Sequence, residues 1–227
     1  MRTPGADIFL STGYLFTEQI IQAKSDIIQI QHVSENEILV DLREDKKITL
    51  TNLDRDGYIS SSCGICGRTT LGELKSTAPY IIRSNVPQYA THHIHAWPEK
   101  LRQAQKVFHT TGGIHAAAII RDNQILHLAE DVGRHNALDK LIGYSVRELS
   151  LPLDNCAIIM SSRSSFELVQ KALMAGIPIL ATIGAPTSLA IELAEENNIT
   201  LIGFLKENRF NIYAGPGRIK TLAASSL

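Results

Sequence analysis

The sequence predicts an α/β protein: a C-terminal three-layer α/β domain over 99–227 and a smaller α+β N-terminal domain over 1–98. Three observations carry this. From residue 114 onwards, short apolar runs alternate with amphipathic stretches of roughly ten to fifteen residues, the rhythm of strand–helix–strand units in a largely parallel sheet. Before residue 60, charged turns separate short alternating runs, an antiparallel pattern. Between them, small residues, glycines, Pro79 and Pro87 mark a linker.

Each element follows in order. Residues 1–25 read as one helix, with Ile8, Leu10, Leu15, Phe16, Ile20 and Ile21 near helical spacing and Gly13 as its weak point. Residues 27–33, 37–40 and 47–50 are the antiparallel strands. Residues 99–108 form a helix starting after Pro98 and ending before Gly112-Gly113. Strands follow at 114–121 and 124–129, a helix at 134–149, a strand at 156–160 and a helix at 164–174 closed by Gly176. A strand at 178–183, a helix at 187–197 and a strand at 200–205 complete the series.

Composition narrows the function classes. The 227 residues are 44% hydrophobic and 20% charged, with formal net charge −1, so a general nucleic-acid binder is not indicated. No apolar run reaches the ~20 residues that span a bilayer, and the N-terminus lacks a signal-peptide pattern. Three cysteines, two of them within Cys63-Gly64-Ile65-Cys66, make a poor disulfide framework. They suit redox, metal or sulfur chemistry in a reducing compartment, and a cytoplasmic protein is expected.

Four places can carry chemistry. The CxxC stretch lies in SSSCGICG, small and Gly-rich, and so is an exposed loop. It is half a zinc site if two of His92, His93 and His95 complete it. It is a poor thioredoxin-like pair, because Gly67-Arg68-Thr69-Thr70 does not start a helix. It also suits a persulfide carrier, which needs a nucleophilic thiolate on a swinging loop with a second thiol beside it. Zinc binding and sulfur transfer both stand on these residues alone. The other three places end strands: Glu130 to Asn136, with Arg134 and His135; Ser161 to Ser165, with Ser162, Arg163 and Ser164; and Phe204-Leu205-Lys206-Glu207-Asn208-Arg209. Ligands bind at the carboxyl ends of strands in such sheets, and helix N-termini attract phosphates, so each is a candidate anion cradle. Plain structural roles compete with each: an Asp-Arg helix cap, a serine N-cap and a charged turn. Cys156, His32 and His127 sit in strand patterns and read as structural, while His109 and His115 flank a Gly-Gly turn where a ligand could approach.

The blocks SSCGICG, FHTTGGIHAAA, EDVGRHNALDKLIG, MSSRSSFELVQKA, AGIPILATIGAPTSLAIELAEE and GFLKENRFNIY, in this order, resemble the formate dehydrogenase accessory sulfurtransferase (FdhD) family over nearly the whole chain. The resemblance implies a cytidine-deaminase-like C-terminal domain and a homodimer. It implies a protein that accepts sulfur from a cysteine desulfurase as a persulfide on Cys63, with Cys66 as neighbour. The sulfur then goes to a molybdenum (or tungsten) bis-pterin guanine dinucleotide cofactor before that cofactor enters formate dehydrogenase. The family's cofactor-binding stretch matches Phe204 to Arg209, and no permanent metal of the protein's own is expected. The fold kinship does not imply deamination: His115-Ala116-Ala117 lacks the glutamate of the deaminase motif, and the CxxC precedes it. Family members carry a further strand-rich stretch ahead of the segment matching MRTPGADIFL. A different start codon, a trimmed sequence or a true truncation each explains the difference, and only a true truncation leaves the N-terminal sheet a strand shorter, with an exposed edge. A zinc-dependent binding protein and a chaperone that holds the cofactor without moving sulfur are the rival classes.

Overall fold

The structure is a computed structural model, and it describes residues 1–45, 78–83 and 86–220. Helix α1 covers Asp7–Thr17, followed by the antiparallel pair β1 (Ile27–Ser34) and β2 (Glu37–Leu42). The expected helix over 1–25 is thus much shorter. At one end Met1 to Thr3 run onto the sheet edge, where the Thr3 N–H donates to Asp131. At the other, Gln19 takes a left-handed conformation, φ 61°, which closes the helix and turns Ile21 into the core.

After β3 (Tyr89–Ala90), helix α2 runs through Thr91–Ala104, with Pro98 inside it, and α3 covers Lys106–Thr111. The sequence reading placed one helix at 99–108, beginning after the proline. The helix starts earlier because Ile94, Trp97 and Leu101, three and four residues apart, form an apolar stripe that seals one sheet face. That burial outweighs the one helical hydrogen bond Pro98 removes. It breaks at Gln105, where the Glu130 carboxylate accepts the Val107 and Phe108 N–H groups at 2.8 and 2.9 Å and starts α3.

The remaining elements are β4 (His115–Arg121), β5 (Gln124–Asp131), α4 (Arg134–Glu148), β6 (Ala157–Met160) and α5 (Phe166–Met174). Then come β7 (Ile179–Thr182), α6 (Ser188–Glu196), β8 (Thr200–Gly203), β9 (Asn211–Ala214) and β10 (Ile219–Lys220). Among the described residues, six strands make the main sheet in the order β5-β4-β6-β7-β8-β9. Only β6–β7 and β7–β8 are parallel; β4–β5, β4–β6 and β8–β9 are antiparallel, so the sheet is mixed where a largely parallel one was expected. The cause is local. Asp122 and Asn123 both have positive φ, 49° and 62°, which makes a two-residue hairpin turn between β4 and β5.

Both sheet faces are covered, which gives three layers. Along β4, Ala117 and Ile119 join the cluster under α1, α4, α5 and α6, whereas Ala116, Ala118 and Ile120 join Trp97 and Ile94 under α2. The same alternation recurs at Ile158/Ile159 and Leu180/Ala181, as the two-residue period of a strand requires. Helix α1 lies against α4 almost backbone to backbone: a Cβ on Gly13 would stand 1.8 Å from the Asp139 carbonyl oxygen, and one on Gly143 1.8 Å from that of Phe9. Gly13, a weak point in a lone helix, is here the residue that permits the crossing. Below it, Lys171 Nζ contacts both Asp139 carboxylate oxygens at 2.8 and 3.0 Å and donates to the Thr17 hydroxyl at 2.8 Å.

Candidate functional site

Register places the ends of several strands side by side. Asp131 pairs with His115, Ala117 with Met160, Met160 with Thr182, Ala181 with Ile202 and Gly203 with Asn211. The turns that leave β5, β6 and β8 therefore emerge at one sheet edge, with the start of β4 between the first two. All three polar clusters singled out in the sequence share this edge.

Within each cluster, some side chains build the edge and others face out from it. Asp131 is fully buried. Its carboxylate takes Lys140 Nζ at 2.7 Å and the Thr3 N–H at 3.0 Å on one oxygen. The other takes the Gly133 N–H at 2.9 Å and Asn136 Nδ2 at 3.1 Å. It orients the start of α4, and with it Arg134 and His135, the first two residues of that helix. His135 is largely enclosed, and burial, then the nearby Arg134 charge, push its pKa down to about 4, so the ring is neutral near pH 7. Burial and Arg134 lower His115 as well.

In the turn after β6, Ser161 and Ala116 exchange two hydrogen bonds, at 2.9 and 3.0 Å. Ser162 and Ser164 turn inward. The Ser162 hydroxyl donates to the Arg163 carbonyl at 3.0 Å, and Ser164, with no exposed surface, lies 3.1 Å from the Thr182 hydroxyl. Arg163 alone of the three is exposed. The Gly184 N–H donates to the Ser162 carbonyl, and a Cβ on Gly184 would come within 2.7 Å of Arg163 Cγ.

The turn after β8 is bolted to the same place. The Phe204 N–H donates to the Gly184 carbonyl and the Leu205 N–H to the Thr182 carbonyl, each at 3.1 Å. Phe204 has φ 51°, a left-handed conformation rare for a bulky residue, and leaves its ring 45% exposed. Leu205 is a core anchor, whereas Lys206, Glu207, Asn208 and Arg209 are exposed.

A cleft of about 430 Å³ opens between α2 and this turn, lined by His92, His95, Ala96, Glu99, Arg102 and Glu207. The sequence reading weighed His92, His93 and His95 only as zinc ligands. Their place beside Glu207 was signalled by the helical spacing of His92, His95, Glu99 and Arg102, once a helix is known to start at Thr91. Among the described residues, no group of three or more His, Cys, Asp or Glu side chains could hold a metal ion. Cys63 and Cys66 lie outside the described residues, as does the strand expected at 47–50.

The residues read as structural behave differently from one another. Cys156 is buried beside Arg121, whose Nε is 3.4 Å from its sulfur, and burial raises its thiol pKa. His127 stacks on Tyr144 with ring centroids 3.6 Å apart. His32 is exposed on β1.

A three-layer α/β protein with polar and cationic turns gathered at one sheet edge is the class that the fold and site define. The chain belongs to the FdhD/NarQ family, whose model matches residues 1–220. It is 43% identical over 229 residues to the sulfur carrier protein FdhD of Mycolicibacterium paratuberculosis, covering 96% of this chain and 84% of that one. The protein of the same name from Streptomyces coelicolor is 40% identical over 99% of this chain and 83% of its own. That from Sulfolobus acidocaldarius is 43% identical over 96% and 83%. The fold matches the crystal structure of a protein described as a formate dehydrogenase accessory protein from Desulfotalea psychrophila, with TM-score 0.73 and 20% identity, covering 97% of this chain and 81% of that one. No helix of the described residues is long and apolar enough to cross a membrane.

Proposed function

We propose that this chain is a sulfur carrier that matures formate dehydrogenase. It takes sulfur from the persulfide of a cysteine desulfurase and delivers it to a molybdenum or tungsten bis-pterin guanine dinucleotide. The observation that carries this reading is the gathering of Arg134, Arg163, Lys206 and Arg209 on the turns of one sheet edge, in a chain similar along its length to proteins named sulfur carriers. The exposed Arg163, Lys206 and Arg209 and the partly buried Arg134 suit the phosphates of a dinucleotide, and the half-exposed Phe204 ring suits a flat heterocycle.

The sulfur chemistry falls to Cys63 and Cys66. Cys63 thiolate attacks the terminal sulfur of the donor persulfide; the donor S–S bond breaks, its cysteine leaves as a thiolate, and Cys63 becomes the persulfide. Attack of Cys66 on the inner sulfur then forms a Cys63–Cys66 disulfide and expels the outer sulfur as sulfide. The two electrons come from the thiols, and an external thiol reductant restores them. The carrier works as a homodimer in the cytoplasm, with the desulfurase and formate dehydrogenase as partners.

Incubation with a desulfurase and cysteine should add the mass of one sulfur to the wild type and none to Cys63→Ala. A Cys63→Ala chain that still accepts sulfur and still restores formate dehydrogenase activity in a maturation-deficient strain would sink this reading. Stoichiometric zinc lost on Cys63→Ser would favour the metal-binding rival.

A further inference from the structure

Buried hydrogen-bonding atoms normally have partners, and an orphaned one lowers stability. Two of the orphans among the described residues, His135 Nε2 and Ser165 Oγ, stand at the sheet edge. Ser165 is 5% exposed and holds the N-cap position of α5, where a serine hydroxyl ordinarily accepts a helix N–H; here it makes no such bond. His135, the second residue of α4, feels the charges of Glu167 and Lys171 on α5 as well as Arg134 and His115. Asp139 on α4 and Lys171 on α5 touch at 2.8 Å, one turn beyond His135 and Glu167, so the first turns of the two helices are neighbours, each with one polar atom that makes no hydrogen bond within the protein.

We propose that the seam between the first turns of α4 and α5 is an oxyanion seat for one phosphate group, with His135 Nε2–H and Ser165 Oγ–H as donors and Arg134 supplying charge. Two helix N-termini, each a positive dipole end, favour an anion over a cation or a neutral group. A neutral imidazole protonated on Nε2 and a hydroxyl both donate, which matches the acceptor oxygens of a phosphate. Among the charges acting on His135, the Glu167 carboxylate opposes Arg134 and Lys171. Both donor atoms are sealed from water, so the phosphate enters with a side-chain rotation at His135 or Ser165.

This deepens the cofactor reading and rests on it: a diphosphate of the dinucleotide sits at the α4–α5 seam, and Arg163, Lys206 and Arg209 serve the rest. The test titrates the purified full chain with inorganic pyrophosphate, against sodium chloride at matched ionic strength, following binding calorimetrically and the unfolding midpoint by fluorimetry. Wild type should bind pyrophosphate and gain midpoint. Ser165→Ala and His135→Phe should weaken it at least tenfold, and His135→Gln, which keeps a donor, should retain most of the affinity. Without ligand, Ser165→Ala should melt at or above the wild-type temperature, since it deletes an unsatisfied hydroxyl. Wild-type affinity in Ser165→Ala and His135→Phe overturns the seat, as does a wild-type response no larger than that to chloride. Sulfur loading of Cys63 is scored in parallel. If loading fails while pyrophosphate binding depends on Ser165, the carrier reading falls and the seat stands; the reverse result removes the seat alone.

Discussion

Phe204 holds a left-handed backbone that glycine adopts freely and a phenylalanine adopts at a cost of about 1–3 kcal/mol. Its neighbours over-determine the conformation: its N–H is bonded to Gly184, and Leu205 is anchored in the core. Strain kept at an exposed aromatic points to use of the ring. Phe204→Gly should therefore leave the chain no less stable in urea, and gain up to about 1 kcal/mol, while its rescue of formate dehydrogenase activity falls. Gly143 is the opposite case, fixed by space. A methyl group there collides with the Phe9 carbonyl, and because backbone cannot rotate away, Gly143→Ala should cost about 3 kcal/mol or more in denaturant unfolding. Neither property is visible in one sequence, where Gly143 is a minor blemish in an amphipathic helix and Phe204 the end of an apolar run.

The elements show which signals survive folding. Strands β4 to β8 and helices α4 to α6 stand within a few residues of their expected places, because each is an apolar run or stripe ended by polar residues. The polar turns of this edge were legible for the same reason: Ser161 and Lys206 follow the apolar runs of β6 and β8. What misled were elements whose stability comes from a partner. Helix α2 is set by the sheet face that Trp97 covers, and Pro98 argued locally against it. In the same way Ser162 and Ser164 carry the residue types of an anion cradle, yet their hydroxyls hold the turn together. Helix α1 is held from outside as well. Lys171 joins α5 to Asp139 on α4 and to Thr17 on α1, buried throughout, and burial raises the Asp139 pKa. Lys171→Met leaves that carboxylate with the Thr17 hydroxyl but no counter-charge and should cost about 3–5 kcal/mol, with much of the loss recovered in Lys171→Met/Asp139→Leu. Losses in Lys171→Met and Asp139→Leu that simply add in the double variant would show that the pair is not coupled.

For the molecule as a whole, enclosed histidines make stability fall in mild acid. His135 falls from an ordinary value near 6.5 to about 4, and His115 and His127 move the same way through burial. The unfolded chain therefore takes up these protons first. The part of the stability that these histidines carry is complete above about pH 6.5 and is lost as pH falls towards 4. His135 alone accounts for on the order of 2 kcal/mol, allowing for the ring's partial exposure. Urea midpoints at pH 7 and pH 5 measure this, and His135→Gln should narrow the gap; an unchanged gap would exclude His135 as its source.

The Thr182 hydroxyl meets three segments at once: Ser164 at 3.1 Å, the Gly184 carbonyl at 3.1 Å and the Ile202 carbonyl at 3.2 Å. Its proton can satisfy only one carbonyl at any instant, so the turns after β6 and β7 and the end of β8 share a single latch. In hydrogen–deuterium exchange, the amides of Gly184, Thr187, Phe204 and Leu205 should then exchange at one common rate, as a cooperative unit. Thr182→Val should release all four together. Turns that open as one body lose little further freedom when a guest arrives, and the entropy of arranging them has already been met when the chain folds.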